Sequence, residues 1–222
     1  MPAIARPLAA EFFGTMFLLI AVVGSGIMAE RLADGNMAVA LLANAIATGA
    51  ALVVLITILG PLSGAHFNPA VSFFFALRGK IEWRMAVRYG LVQIVGAIVG
   101  VWLTHLMFAM PVLEVSTRLR DGPPQLLAEF IATLGLLATI AGAIRFALPS
   151  TPMLVGLTIT GAYWFTASTS FANPAVTLAR ALTESFSGIA PVSTPGFIAV
   201  QFLAAAIAAP ALKWLFAEAA SA

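Results

Sequence analysis

Long apolar runs separated by short polar segments dominate this 222-residue chain. An apolar run of about 20 residues is long enough to cross the hydrocarbon core of a bilayer as a helix. Six runs meet or approach that length, and the fifth is short and continues into a loop: 8–29, 37–59, 85–108, 125–148, 153–168 and 196–217. The pattern therefore predicts an all-α membrane protein with six transmembrane helices.

Two identical tetrapeptides interrupt the apolar pattern, one in each half of the chain: Asn68-Pro69-Ala70-Val71 and Asn173-Pro174-Ala175-Val176. Asparagine is a preferred N-cap, because its side-chain oxygen accepts a hydrogen bond from a backbone N–H of the first turn. Proline suits the next position, since its missing N–H has no intrahelical partner there. We therefore expect two half-membrane helices that begin at these motifs, with the asparagine NH2 groups free to donate elsewhere.

Other residues recur in the same order in both halves. Ala-Glu-Phe opens the first half at Glu11 and the second at Glu129, and each motif is followed by an apolar run with one glutamine, Gln93 or Gln201. Three spans per half is an odd number, so the two halves insert with opposite topology. The chain is thus predicted to be one transmembrane domain of two inverted repeats: residues 1–222, divided at approximately 1–110 and 123–222.

Composition agrees with a membrane setting and argues against several function classes. Residues are 61% hydrophobic and 9% charged, whereas soluble domains carry about 25% charged residues. The net charge of +2 is small and the basic residues are not clustered, so no nucleic-acid partner is expected. The lack of cysteine excludes disulfides and thiolate metal sites. Neither a nucleophile nor a metal-ligand set repeats beside the two glutamates, so we expect no enzyme, metal or cofactor.

The distribution of lysine and arginine predicts the orientation in the membrane, because cytoplasmic loops carry an excess of both. With six spans, the two termini lie on the same side. Seven basic residues fall on that side: Arg6, Arg78, Lys80, Arg84, Arg88, Arg145 and Lys213. Four fall on the opposite side: Arg31, Arg118, Arg120 and Arg180. Both termini are therefore predicted to be cytoplasmic.

The segment 63–71, Ser-Gly-Ala-His-Phe-Asn-Pro-Ala-Val, together with the second motif and the paired glutamates, resembles the aquaporin and aquaglyceroporin family, the major intrinsic proteins. The similarity covers essentially the whole chain. It implies an aquaporin-like right-handed bundle of six helices plus two half-membrane helices, one pore per subunit, and a homotetramer. It also implies that Glu11 and Glu129 accept hydrogen bonds from the half-helix loops, whereas the residues alone also allow both to be solvated near the membrane interface.

The resemblance locates the four positions that narrow the pore, and here the chain departs from most relatives. They carry arginine after the second Asn-Pro-Ala, where this chain has Val176, and the other positions fall on Thr48, Gly161 and Ser170. All four are small or medium-sized and uncharged, so we expect a wide neck that admits glycerol-type polyols. Bacterial members linked to arsenic resistance also lack the arginine. This likeness favours arsenite-like trihydroxides and antimonite as further solutes, with some water, and a bacterial inner membrane as the location.

Two residues near the motifs keep alternative interpretations. His66 matches a family histidine, and it either lines the pore or hydrogen-bonds to neighbouring loops. Arg180 lies four residues after Val176 on the same helix face, so it either returns a positive charge to the outer vestibule or contacts a loop carbonyl or lipid headgroup. His105, near the end of the third run, is predicted to be a packing or interfacial residue. Two isolated histidines do not make a metal site.

Passive conduction has competitors from other classes. Inverted repeats and broken helices also build ion-coupled secondary transporters, but such a carrier is expected to have titratable groups at the midplane, where this chain has asparagine. A water-selective or gated aquaporin is a second alternative. A closed-pore member with a structural role is a third, which the small side chains at Thr48 and Gly161 argue against.

Overall fold

The computed structural model describes residues 4–217, and it is helical throughout, with no strand among those residues. Eight α-helices follow one another along the chain: α1 (Ala5–Leu32), α2 (Met37–Ser63), α3 (Pro69–Leu77), α4 (Trp83–Met107), α5 (Pro123–Phe146), α6 (Thr151–Phe165), α7 (Pro174–Arg180) and α8 (Thr194–Leu215). The predicted all-α membrane fold is confirmed. The two termini, and the outer ends of the predicted domain 1–222, lie outside the described residues.

Five of these helices, α1, α2, α4, α5 and α8, are 22–28 residues long and apolar enough to cross a membrane. The fifth predicted span, 153–168, forms α6, which has 15 residues and is short, as the sequence pattern indicates. At about 1.5 Å per residue, α6 alone is about 22 Å long, less than the hydrocarbon thickness of about 30 Å. The path is continued by a 3₁₀ turn, Leu148–Ser150, before α6 and by non-helical chain after it.

The half-membrane helices α3 and α7 begin where the two motifs predict. Asn68 and Asn173 are extended N-caps, with φ of −156° and −158°, and a proline takes the first helical position in both cases. The Asn68 side-chain oxygen accepts from the Ala70 N–H at 2.9 Å, and the Asn173 oxygen accepts from the Ala175 N–H at 3.0 Å. With 9 and 7 residues, the helices are too short to span a membrane. Both pack against α4 and α8.

Glycines bring the long helices into backbone contact. A Cβ added to Gly96 of α4 would lie 2.4 Å from the Phe12 carbonyl oxygen of α1, and one added to Gly100 would lie 2.4 Å from the Met16 oxygen. Helix pairs in membranes associate through such close approach, because lipid offers no hydrophobic driving force between them. The α1–α4 contact therefore depends on the absence of side chains at these positions.

Close packing at glycines also joins the two halves of the chain. Gly49 of α2 and Gly156 of α6 face each other, and a Cβ on either one would lie within 3 Å of the other's carbonyl oxygen. The outer faces of the bundle are apolar, as exposed Leu91 and Val95 of α4 illustrate. Such faces suit lipid, since all helical backbone groups are already hydrogen-bonded within the segment.

We predict that Gly96→Ala destabilises the bundle, because its methyl group would overlap the Phe12 carbonyl oxygen. Forced overpacking of this kind costs about 1–3 kcal/mol. Gly135→Ala is the matched control, since Gly135 also lies within a helix but a Cβ there meets no atom within 4 Å. Thermal unfolding of both variants in detergent, followed by size-exclusion chromatography, measures the difference. Equal stability of the two variants would contradict the proposed backbone contact.

Candidate functional site

The N-termini of α3 and α7 meet at the centre of the bundle and are cross-bonded. The Asn68 Nδ2 donates to the Ala172 carbonyl at 2.7 Å, and the Asn173 Nδ2 donates to the Phe67 carbonyl at 2.8 Å. An asparagine NH2 has two N–H donors, so one donor of each amide is used in this reciprocal contact. The second donor of each remains beside the cavity that both asparagines line.

Glu11 of α1 holds the loop that leads into α3. Its Oε1 accepts from the His66 N–H at 2.9 Å and from the Ser63 Oγ at 2.6 Å. Its Oε2 accepts from the Phe67 N–H at 2.7 Å and from the Gln93 Nε2 at 2.8 Å. The carboxylate is fully buried, and its four bonds satisfy non-helical backbone at membrane depth.

Glu129 of α5 holds the loop before α7 in the same way. Its Oε1 accepts from the Phe171 N–H at 2.8 Å, and its Oε2 accepts from the Ala172 N–H at 2.8 Å and from the Gln201 Nε2 at 2.7 Å. Glu129 is also fully buried. The matched glutamates and glutamines of the two halves therefore make matching contacts with their loops.

The two loops contain backbone conformations that side chains disfavour. Positive φ angles of 48–61° occur at five non-glycine residues of these loops: Ala65, Phe67, Thr169, Ser170 and Ala172. Each such conformation costs of the order of 1–3 kcal/mol and persists only where surrounding contacts enforce it. Glu11 and Glu129 accept hydrogen bonds from N–H groups within these segments, and these bonds hold the backbone in the positive-φ conformations.

A cavity of about 780 Å³ adjoins the meeting point of the two half-helices. Its wall includes both motif asparagines and three of the four predicted neck residues: Asn68, Asn173, Thr48, Ser170 and Val176. Small-molecule sites in proteins occupy about 300–1,000 Å³, so the cavity is large enough to hold a small solute. Both halves of the chain contribute to the wall.

The prediction that Gly161 belongs to the neck is wrong. Gly161 is exposed on the outer face of α6 and does not line the cavity, whereas Val155, Ile159 and Tyr163 of the same helix do. Residues 161 and 163 are about 200° apart around a helix, so they lie on opposite faces of α6. Counting residues back from Asn173 does not give the rotation of α6 about its axis, and that rotation turns Tyr163 toward the cavity.

Tyr163 is the neck residue that sequence reasoning missed. Its phenolic oxygen lies 3.3 Å from the Thr48 Oγ1, and either group can donate. Ser170 Oγ is buried without a hydrogen-bond partner among the described residues and lines the same cavity. An available signal was that Tyr163 is one of only two tyrosines in the chain, since a phenol in an apolar run normally has a polar partner. The neck thus combines hydroxyl groups with the apolar Val176.

Arg180 contacts a loop carbonyl and also faces the cavity. It is 2% exposed, its Nε donates to the Ser187 carbonyl, and its guanidinium carbon lies 3.4 Å from the centroid of the Phe171 ring. The residue is among those that line the cavity. Such burial does not agree with contact to a lipid headgroup, whereas a loop-carbonyl contact and a position at the pore wall are both present.

Arg120, in the loop between α4 and α5, reaches the same ring and was not anticipated. Its guanidinium carbon lies 5.2 Å from the Phe171 centroid, its Nε donates to the Gly188 carbonyl at 2.9 Å, and its Nη1 donates to the Ser168 carbonyl at 3.3 Å. Burial, with a further contribution from the Arg118 charge, lowers the pKa of Arg120 to about 10. Arg120 therefore remains cationic at neutral pH.

The two histidines have different surroundings. His66 lines the cavity, and its Nδ1 lies 3.0 Å from the Ser72 Oγ while its ring stacks on Phe75. Both interpretations of His66 are therefore compatible with its contacts. His105 is fully buried away from the cavity, with its Nε2 2.8 Å from the Thr183 Oγ1. Within residues 4–217 no group of three His, Asp or Glu side chains could hold a metal ion.

Comparison with known proteins agrees with this architecture. The sequence matches the family described as "Major intrinsic protein" over residues 2–163. It is 57% identical over 210 residues to the aquaglyceroporin AqpS of Rhizobium meliloti (strain 1021), covering 95% of this chain and 90% of that protein. A probable glycerol uptake facilitator protein of Thermotoga maritima is 32% identical over 166 residues, which is 68% of this chain and 70% of the relative.

A solved structure supports the same fold. The X-ray structure of the aquaglyceroporin from Plasmodium falciparum superposes with a TM-score of 0.73, covering 96% of this chain and 95% of that chain. The sequence identity of 20% limits this likeness to the fold. The family match covers more than half of the chain, and the half-helix motifs, the paired glutamates and the central cavity fit it. The chain belongs to the major intrinsic protein family, whose members are membrane channels and not enzymes.

Proposed function

We propose that this protein is a passive channel for small uncharged solutes, with an aquaglyceroporin-like pore that conducts glycerol-type polyols and arsenite-like trihydroxides, and some water. One observation carries the proposal most directly. The cavity beside the cross-bonded half-helices has a neck of Thr48, Tyr163, Ser170 and Val176, without a charged residue at the Val176 position. The 57% identity to a protein named aquaglyceroporin agrees with this substrate class.

The chemistry of the cavity wall favours neutral, hydrogen-bonding solutes. Asn68 and Asn173 each keep one N–H donor beside the cavity, and the hydroxyls of Thr48, Tyr163 and Ser170 both donate and accept. The N-termini of α3 and α7 each add about half a positive charge to the centre. Such half-helix dipoles oppose the passage of protons and other cations. A trihydroxide with several O–H groups matches this mixture of donors and acceptors.

The orientation and assembly belong to the same proposal. The face with the seven basic residues is cytoplasmic, which places both termini inside a bacterial inner membrane. Each subunit has its own pore, and four subunits form a homotetramer with their apolar outer faces toward lipid and one another. The glutamates Glu11 and Glu129 act as braces of the two half-helix loops.

A water-selective channel is the second candidate, and Tyr163 favours it. The aromatic ring takes the wall position for which the small Gly161 was predicted, and its hydroxyl lies 3.3 Å from the Thr48 Oγ1. An aromatic group in the neck reduces the space for a polyol. The ratio of glycerol to water permeability in proteoliposomes separates the two candidates, since a water-selective pore excludes glycerol.

Transport through a passive channel is expected to depend only on the solute gradient. In proteoliposomes, glycerol flux should rise linearly with the imposed gradient and should not change when a proton or sodium gradient is added. Stopped-flow light scattering measures the flux, and protein-free vesicles are the control. Uphill accumulation of glycerol driven by either ion gradient would refute the channel proposal in favour of a secondary transporter.

Substitutions in the neck are expected to reduce glycerol passage more than water passage. Val176→Arg introduces a long cation with five N–H donors, and Thr48→Phe fills space next to Tyr163. The matched control is Gly161→Phe, which adds the same side chain to the outer face of α6 and should leave the permeability ratio unchanged. Equal amounts of inserted protein are compared in vesicles of one composition. Unchanged ratios for Val176→Arg and Thr48→Phe would place the constriction elsewhere.

Removal of a bracing carboxylate is expected to destabilise the protein before it alters selectivity. Glu11→Ala and Glu129→Ala each leave loop N–H groups buried without an acceptor, at a cost of about 1–3 kcal/mol per group. Glu82→Ala is the matched control, because Glu82 is exposed and its side chain does not cap α4. Thermal stability, oligomeric state and water permeability are measured. A Glu11→Ala, Glu129→Ala double variant that stays stable and fully conducting would show that neither acid braces a loop.

A further inference from the structure

Arg180 is a buried cation whose charge is not balanced by a carboxylate contact. It is 2% exposed, and among the described residues no carboxylate lies within salt-bridge distance of Arg180, whereas Arg118 is paired with Glu30 at 2.9 Å. A buried charge is costly unless other groups compensate it. Arg180 lines the cavity, so its positive field extends into the space through which a solute would pass.

The guanidinium is held in place by the loop that forms the cavity wall. Arg180 is the last residue of α7, and long side chains on a helix point back toward its N-terminus. The guanidinium therefore returns to Phe171, which precedes α7, and lies 3.4 Å from the ring centroid. The Phe171 N–H is bonded to Glu129, and the Arg180 Nε donates to the Ser187 carbonyl. Ring and carbonyl together fix the position of the charge.

Unused hydrogen-bonding groups converge at the same end of the cavity. The Nε of Arg180 donates to the Ser187 carbonyl, and its two Nη atoms donate to no other described residue. Ser170 Oγ is buried without a partner and lines the cavity with Arg180. Buried polar groups with only a structural role normally have a hydrogen-bond partner. Unsatisfied donors and an acceptor at a cavity wall are available to a passing solute.

A second cation adds to the field at this point. The Arg120 guanidinium carbon lies 5.2 Å from the centroid of the same Phe171 ring. The Glu129 carboxylate interacts electrostatically with both arginines and offsets part of their charge, so the two guanidiniums outnumber the one carboxylate at this end of the cavity. A net positive charge beside the cavity repels a cation, and more strongly than in bulk water because the protein wall has a lower dielectric constant, whereas an uncharged solute feels no such net repulsion. The arrangement discriminates by charge without narrowing the pore.

We propose that the Arg180 guanidinium is the side chain that excludes cations from the outer half of the pore, in a neck where the uncharged Val176 cannot do so, and that it adds to the half-helix dipoles at the centre. The inference rests on the proposed channel function and adds a specificity-determining residue to it. Neutral solutes pass beside the guanidinium and use its Nη donors, and cations of the same size and shape are rejected.

The test uses a pair of solutes that differ in charge and little in shape. Urea is neutral, and guanidinium is a permanent cation of nearly the same planar outline. Both are supplied at tracer concentration to proteoliposomes that contain the full chain. The wild-type protein should pass urea and exclude guanidinium. Arg180→Cys should raise the guanidinium-to-urea permeability ratio by about tenfold or more, because a unit charge at short range has been removed from a poorly screened site.

The absence of native cysteine makes a charge-rescue experiment possible. Aminoethyl methanethiosulfonate converts the single thiol of Arg180→Cys into a disulfide that carries an ammonium group, with release of methanesulfinate. This modification should restore guanidinium exclusion, whereas methyl methanethiosulfonate, which attaches a neutral group, should not. Arg118→Cys is the matched control. It removes one positive charge from the same face, at a residue paired with Glu30 outside the cavity, and should behave as wild type.

Each outcome decides the proposal. A permeability ratio that stays at the wild-type value in Arg180→Cys, or that both reagents restore equally, would overturn the role of Arg180. If Arg180→Cys does not assemble, Arg180→Gln replaces it, since its amide can still donate to the Ser187 carbonyl, and the same rise in ratio is expected. A wild-type protein that passes neither urea nor glycerol would refute the channel function itself. If the wild-type protein conducts urea and glycerol and an Arg180 variant still excludes guanidinium, only the role of Arg180 is refuted and the channel function stands.

Discussion

Two buried carboxylates accept hydrogen bonds from loop N–H groups that lipid cannot satisfy. The loops before α3 and α7 leave the helical hydrogen-bond pattern at membrane depth, so an N–H there that points away from the cavity needs an acceptor within the protein. Glu11 and Glu129 accept from two consecutive N–H groups in each loop and are fixed in turn by Gln93 and Gln201. The half-helices, their cross-bonds and the cavity all depend on loops held in this way.

The features that follow from local chemistry could be predicted from the sequence. Apolar length predicts the long helices, and the Asn-Pro dipeptides predict the starts of α3 and α7, because capping depends on only a few consecutive residues. The contacts of Glu11 and Glu129 were predicted through the family resemblance and not by local rules. A repeated acid in an apolar run indicates that a partner exists, but it does not identify that partner.

The features that depend on register or on distant segments could not be predicted in the same way. Gly161 and Tyr163 are two residues apart, yet only Tyr163 lines the cavity. That choice depends on the rotation of α6 about its axis, which the residue count back from Asn173 does not give. The contact of Arg120 with Phe171 joins residues 51 positions apart, and no local pattern encodes it. The sequence indicates Arg180 as a candidate vestibule residue, but its contact with the Phe171 ring is seen only in the folded structure.

The reciprocal bonds between the halves have a consequence for biogenesis. The Asn68 amide completes its bond only when the Ala172 carbonyl is present, and Glu129 is fully occupied only when Gln201 of the last helix arrives. The bonds that hold the two half-helices are therefore incomplete until both halves are present, and the last of them requires α8. Formation of the central site is thus coupled to insertion of the whole chain, and neither half can complete it alone.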